Sequence, residues 1–247
     1  MAYEFSSTVR FSECGTDGLL TPEKMLAYFE DAMLFDDISC GFGFPYWWRK
    51  GITWVLTSWN VLIFERPKLL SKVDIWCSAV GFTRFRGIRN YTIRDEEGNM
   101  LAAATGKLAL ISLEDQSPAR IEPAEVEAYH AVEPLPIPEK KSRILIPENA
   151  KRFDEVPVTK HHIDGLQHVN NKEYYLLAEE CLPGDFEIRK MRVIYHRQAR
   201  LGDTMIPVFG MNGHVFSGAV TDPEGEAFAL FELSDKLSEE DLIVAGL

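Results

Sequence analysis

Only four cysteines occur in 247 residues, Cys14, Cys40, Cys77 and Cys181, and no two share the short spacing of a metal or redox motif. A zinc site and a secreted disulfide framework therefore have little support, and the four read as ordinary reduced residues. Long apolar runs are absent too, so no helical membrane span is expected. The opening MAYEFSSTVRF has neither a basic region leading into an apolar one nor an Arg- and Ser-rich presequence. The expected location is cytoplasmic. Positive charge is in deficit: 26 Lys and Arg against 38 Asp and Glu give a formal net charge of -12. Nucleic acid is disfavoured as a partner, because phosphates need a basic face. Neither a phosphate loop nor a cluster of metal-ligating side chains appears, so no metal and no cofactor is expected.

What is present suffices for a large core, with 46% hydrophobic residues. The chain also repeats itself. FSECGTDGLLTPEKMLAYFEDAM near the start and VTKHHIDGLQHVNNKEYYLLAEE further on share Asp-Gly-Leu, with a Tyr eleven positions after the Asp in each (Asp17 to Tyr28, Asp164 to Tyr175). RPKLLSKVDIWC is similar to RQARLGDTMIPV, and the turn DEEGN to DPEGE. Each half reads as a short strand, a helix and a run of strands, an α+β pattern rather than the alternating βαβ of a parallel sheet.

The spacing predicts a helix over Pro22–Phe35, with Thr21 as cap and Met25, Leu26, Phe29, Ala32 and Met33 as its apolar stripe. A second helix begins near Asn170 or Asn171, carries Tyr174, Leu177, Ala178 and Cys181 on one face, and stops at Pro183-Gly184. Strands are expected over Thr53–Phe64, Lys72–Gly81, Phe85–Asp95 and Leu101–Leu113, then Glu187–Arg197, Thr204–Met211, His214–Val220 and Ala227–Leu233. The Pro- and Glu-rich stretch between the halves reads as a linker with room for one short helix. The expected division is a first repeat over 1–137, a linker over 138–146 and a second repeat over 147–247.

Two segments concentrate chemistry. In His161–Glu180 an acid, a histidine and two asparagines crowd just before a helix. Asp and Asn there serve turns and helix caps equally well. In GFTRFRGIRNYTIR, Arg84 and Arg86 share a face of a strand, either as a solvated sheet face or as an anion or partner site.

The ordered set of motifs resembles the double-hotdog acyl-acyl carrier protein (acyl-ACP) thioesterases: Gly51-Ile52-Thr53-Trp54-Val55-Leu56, Glu65-Arg66-Pro67, Arg84-Phe85-x-x-x-Arg89, Asp95-Glu96-Glu97-Gly98 and, sharpest, His168-Val169-Asn170-Asn171. The resemblance implies a tandem hotdog, each repeat a helix wrapped by a curved antiparallel sheet. It implies hydrolysis of acyl-ACP to free fatty acid, with the phosphopantetheine-linked acyl chain of the carrier protein as substrate. It assigns the catalytic Asp to Asp164, either activating a water or itself attacking the carbonyl, and the catalytic His to His168. Three positions depart from the family pattern. Leu166 stands where an Asn is common, and Gln198-Ala199 where a Glu-Cys pair is common. Gln198 can hold a water but cannot take its proton, which leaves the acid/base work to Asp164 and His168. No thiol nucleophile is available there, and Cys181 lies on an apolar stripe.

Aligned on Asp-Gly-Leu, the first half keeps Asp17 but has Thr21 opposite His168, so one working site per chain is expected, with the first half holding the acyl chain. Trp54 and Phe85 are candidates to line an acyl tunnel, Asn170 and Asn171 to contact substrate, and Arg84, Arg86, Arg89 and Lys190 to meet either the carrier protein or the nucleotide of a coenzyme A ester. Two other readings keep the fold: hydrolysis of acyl-CoA, or a binding protein without turnover. Fused halves already supply a two-hotdog unit, so a monomer and a homodimer are both compatible.

Overall fold

The helix α1 (Pro22–Ser39) starts where the spacing predicts, because the Thr21 side chain accepts the Lys24 N–H at 3.3 Å and Pro22 occupies the first turn. It runs past the expected end at Phe35. Asp36 and Asp37 oppose the helix dipole there, but the buried Arg89 guanidinium binds both carboxylates and removes the conflict. Such a cation comes from elsewhere in the chain and is invisible to local pattern.

The computed structural model describes residues 2–246, in two units: residues 2–138 with 238–246, and residues 139–237. The first contains β1 (Tyr3–Thr8), α1, α2 (Phe44–Arg49), β2 (Ile52–Ile63), β3 (Lys72–Phe82), β4 (Arg86–Asp95), β5 (Met100–Ser112), α3 (Pro123–Ala128) and, beyond the second unit, a short terminal helix (Glu239–Ile243). Its antiparallel sheet is ordered β1-β3-β4-β5-β2. The second contains the two-residue strands β6 (Lys151–Arg152) and β7 (Val156–Pro157), α4 (Asn171–Glu180), β8 (Lys190–Tyr195), β9 (Thr204–Asn212), β10 (Val215–Thr221) and β11 (Ala227–Ser234). Its sheet runs β6-β9-β10-β11-β8, the same order strand for strand, with β7 also on β9. This is the expected α+β tandem hotdog.

Each helix packs on its own sheet through aromatic rings. Phe29 of α1 meets Trp59 and Tyr91 at 5.9 and 5.3 Å between centroids, while Tyr174 of α4 meets Phe228 and Tyr195 at 6.1 and 6.3 Å. Gly106 makes room for the first set: a Cβ there would lie 2.9 Å from Trp59 and 3.1 Å from Tyr91. Register shifts interrupt β2, β3 and β4, the kind of irregularity at which a strand bends and twists.

The stretch expected as a linker is bound in both units. In the first, Val132 N–H donates to Ala79, Leu135 N–H to Asn90 Oδ1 at 2.7 Å, and Asn60 Nδ2 to Pro138. In the second, Lys140 pairs with Glu232, Arg192 donates to Ser142, and Ser217 Oγ to Leu145. The chain thus crosses each sheet as a strap.

Arg89, expected among the cations facing the carrier protein, has a different place. It is 4% exposed, bound to Asp36 and Asp37, and stacked over Tyr129 at 4.9 Å, whose hydroxyl donates to Asp37 at 2.9 Å. Burial raises both aspartates above the usual carboxylate range against the pull of Arg89. One carboxylate balances the guanidinium and the second is a burden. Arg89→Met should therefore cost about 3–5 kcal/mol in urea unfolding, by stranding buried carboxylates. Asp36→Asn, which keeps an acceptor and sheds a charge, should stay within about 1 kcal/mol of the native protein.

Candidate active site

The segment ahead of α4 is a closed loop whose shape is written by Asp164. A 3-10 turn over Lys160–His162 is held by Thr159 N–H donating to His162 Nδ1 at 3.0 Å. Ile163 and Val169 then pair across the loop mouth. Inside it, Asp164 N–H donates to the His168 carbonyl at 2.9 Å and Gln167 N–H to the Asp164 carbonyl at 3.1 Å. Gln167 adopts a left-handed φ of 65° to make the turn. The Asp164 side chain completes it: Oδ1 accepts the N–H of Leu166 at 2.8 Å and that of His168 at 3.4 Å. Both bonds fall on one carboxylate oxygen, so Oδ2 is the one left to act.

Asn170 caps α4. Its Oδ1 accepts the Lys172 N–H at 3.1 Å and its carbonyl the Glu173 N–H at 2.9 Å. Two of the orphan donors of the first turn are thereby used, and the N–H of Asn171, the first helical residue, is the one still open. The Asn170 side chain is committed to the cap, with its amide N–H₂ as the remaining polar group.

His168 is partly buried and feels the charges of both Asp164 and Arg200. Burial and the Arg200 cation lower its pKa below 6.5, against the opposing pull of Asp164. Above that range the imidazole is neutral and able to accept a proton. Val169 N–H donates to the Ala199 carbonyl at 2.9 Å, and Ala199 N–H donates to the Tyr174 hydroxyl at 2.7 Å, tying the segment that carries Gln198 to the loop and the helix. Burial pushes the Tyr174 phenol up to about 12. Cys181 donates its thiol to the Leu177 carbonyl at 3.2 Å, and burial raises it to about 11, which leaves no thiolate for attack.

The same loop exists in the first unit, and its hydrogen bonds correct the alignment on Asp-Gly-Leu. Gly15 N–H donates to Leu19, Gly18 N–H to Gly15, Leu20 N–H to Pro67, and Thr21 caps the helix. Bond for bond, Gly15 matches Asp164, Leu19 matches His168, Thr21 matches Asn170 and Arg66 matches Gln198. Asp17 falls opposite Leu166, two positions from where the triplet places it. The helices continue that two-residue offset, which is why the matching tyrosine spacing misleads. The first loop therefore has neither acid nor imidazole at the positions of Asp164 and His168, where Gly15 and Leu19 stand, and a charged lock holds it: Arg66 donates to Asp17 at 2.7 Å and to the carbonyls of Leu20 and Leu19 at 2.8 and 3.3 Å.

The remaining candidates, Lys190 apart, belong to the first unit. Trp54 sits in an aromatic cluster with Trp47 at 6.0 Å and Phe82 at 6.4 Å. Phe85 lies instead in the β3–β4 turn beneath the Arg84 guanidinium at 5.1 Å, so the structure does not bring the expected tunnel pair together as packed rings. Arg84 and Arg86 are exposed. Lys190 opens β8 in the second unit. Local pattern does not mark Arg200 and Tyr174 for the site: Tyr174 reads as one more stripe residue, and the signal for Arg200 is its match to Lys68, which faces Leu19 across a β-bridge. Among the described residues no three His, Cys, Asp or Glu side chains are placed to hold a metal, and no helix is long and apolar enough to cross a membrane.

Comparison with known proteins follows the same lines. The family described as acyl-ACP thioesterase N-terminal domain matches residues 1–129. An acyl-ACP thioesterase from Bacteroides thetaiotaomicron VPI-5482 superposes with a TM-score of 0.86 at 21% identity, over 94% of this chain and 97% of that one. The 12:0-ACP thioesterase from Umbellularia californica superposes with a TM-score of 0.84 at 19% identity, over 94% and 96%. No curated protein matches the sequence.

The lowered His168 pKa has a direct check. Its ring protons in an NMR titration should show a midpoint below 6.5, and Arg200→Gln should move that midpoint upward by removing a neighbouring cation. A midpoint unmoved in Arg200→Gln would leave burial as the whole cause.

Proposed function

From the premise that this chain belongs to the acyl-ACP thioesterase family, hydrolysing the thioester of acyl-ACP, we propose that the Asp164–His168 loop is its catalytic centre. The observation that carries this reading is the Asp164 carboxylate, fixed through Oδ1 by two backbone N–H groups immediately before the open end of α4.

The chemistry needs an activated water, a place for the oxyanion and a proton for the departing thiol. Asp164 Oδ2 takes a proton from water as the water oxygen attacks the thioester carbonyl carbon. The carbonyl oxygen gains negative charge near the Asn171 N–H and the positive end of the α4 dipole. Collapse of the tetrahedral intermediate breaks the carbon–sulfur bond. The phosphopantetheine thiolate then takes the proton from Asp164, directly or through neutral His168, and a fatty acid is released. Gln198 orients the attacking water through its amide and takes no proton. The first unit, whose loop is locked by Arg66 and Asp17, serves acyl-chain and carrier contacts: Trp54 on the chain, Phe85 and the exposed Arg84 and Arg86 toward the acidic carrier protein. Asn170 supports the site through the cap rather than through its side-chain oxygen.

Thiol release from acyl-ACP should fall about a hundred- to ten-thousand-fold in Asp164→Asn and about a hundred-fold in His168→Ala, with circular dichroism unchanged. Hydrolysis should favour acyl-ACP over acyl-CoA of the same chain length. Undiminished turnover in a folded Asp164→Asn protein would remove the loop from the mechanism. Binding of acyl-ACP without any release would make the chain a carrier-binding protein.

A further inference from the structure

The two units solve one structural problem differently. In each, the residue before the helix cap donates its N–H to a carbonyl at the start of the sheet's central run: Leu20 to Pro67 in the first, Val169 to Ala199 in the second, at 2.8 and 2.9 Å. The first unit has Pro at that position and so no N–H to satisfy. Four residues past its helix cap stands Met25, which is buried and has no hydroxyl. The second unit has Ala199, whose buried N–H needs an acceptor. The residue four past the cap, matching Met25, is Tyr174, and its hydroxyl oxygen supplies that acceptor at 2.7 Å. Tyr174 is 1% exposed and wedged between Phe228 and Tyr195, so its oxygen has little freedom.

The residue preceding this clamp differs as well. Arg66 reaches over its own loop to the Leu19 and Leu20 carbonyls and to Asp17, which anchors the segment through a charged side chain. Gln198 occupies the same position in the second unit and has no guanidinium with which to anchor it. On either side of it Arg197 is tied to Asp222 and to the Glu226 carbonyl, and Arg200 N–H donates to Asp203 at 2.8 Å; the bonds that join the segment itself to the loop and to the helix are the two backbone bonds of Ala199, one to Val169 and one to Tyr174.

We infer that Tyr174 is a positioning residue for hydrolysis, fixing Gln198 over the Asp164–His168 loop through the Ala199 N–H. The inference rests on the catalytic reading of that loop. Replacing the charged lock of the first unit by a neutral clamp from the helix frees the Gln198 side chain for water while keeping its backbone immobile. It also keeps a guanidinium from pairing with the catalytic carboxylate, as Arg66 pairs with Asp17.

The bond can be cut from either end. Tyr174→Phe removes the acceptor, and Ala199→Pro, the residue found at the matching position of the first unit, removes the donor without leaving it orphaned. Steady-state hydrolysis of acyl-ACP should show kcat reduced about tenfold or more in each, with KM changed by less than about twofold. Because Tyr174 acts through Gln198, Tyr174→Phe/Gln198→Ala should be no slower than the slower single variant. Tyr175→Phe serves as control: it deletes the neighbouring hydroxyl, bonded to Glu179 at 2.7 Å, and should lose thermal stability without losing kcat. Native kcat in folded Ala199→Pro, independent losses that multiply in the double variant, or an equal kcat loss in Tyr175→Phe would each overturn the inference. If Tyr174→Phe does not fold, Ala199→Pro decides the matter. A dead Asp164→Asn protein beside unaffected Tyr174 and Ala199 variants would sink this inference alone, whereas active Asp164→Asn would sink the site reading itself.

Discussion

One backbone hydrogen bond recurs in both units and the candidate site depends on it. It runs from the residue before the helix cap to a carbonyl where the central strands begin, Leu20 to Pro67 and Val169 to Ala199. The bond fixes the loop between first strand and helix against the sheet. Within that constraint the loop must close over seven residues with one of them in a left-handed conformation, Gly18 in one unit and Gln167 in the other. Everything chemical is a choice of side chains on this common frame.

The choices diverge in charge. The first loop carries an Arg66–Asp17 pair, half in solvent, whose guanidinium also satisfies two carbonyls. Its contribution is to order more than to stability, because exposed pairs are screened. The second loop carries Asp164 with no facing guanidinium in hydrogen-bond contact. Backbone N–H groups hold one of its oxygens, which orients the carboxylate without neutralising it. The same loop carries His168, whose pKa burial and Arg200 hold below its usual value.

The first unit spends its buried charge elsewhere. Arg89, Asp36, Asp37 and Tyr129 form a network at the end of α1, beside the aromatic cluster of Trp47, Trp54, Phe42 and Phe82. A buried guanidinium on two carboxylates is a weak source of net stability, but it dictates a unique geometry where aromatic rings alone would tolerate several. It also permits α1 to be long, since without Arg89 two aspartates at a helix C-terminus would fray it.

Local chemistry was legible in the sequence: both helix starts from Thr21 and Asn170, the long strands from their patterning, the duplication from its repeated turns, and the crowding of an acid, a histidine and two asparagines just before the second helix. These are encoded within a few residues, where capping and periodicity act. The exact match between the halves was not legible, because Asp-Gly-Leu recurs with a two-residue offset that only the hydrogen-bond ladder exposes. Nor was the role of Arg89, which looked like one more cation of a strand and is a buried counter-ion 52 and 53 residues from its partners. The same holds for Tyr174 and Ala199, and for Arg200 beside His168. Pairings of this kind join residues distant in the chain, and only the closing of the sheet around its helix decides which of them meet.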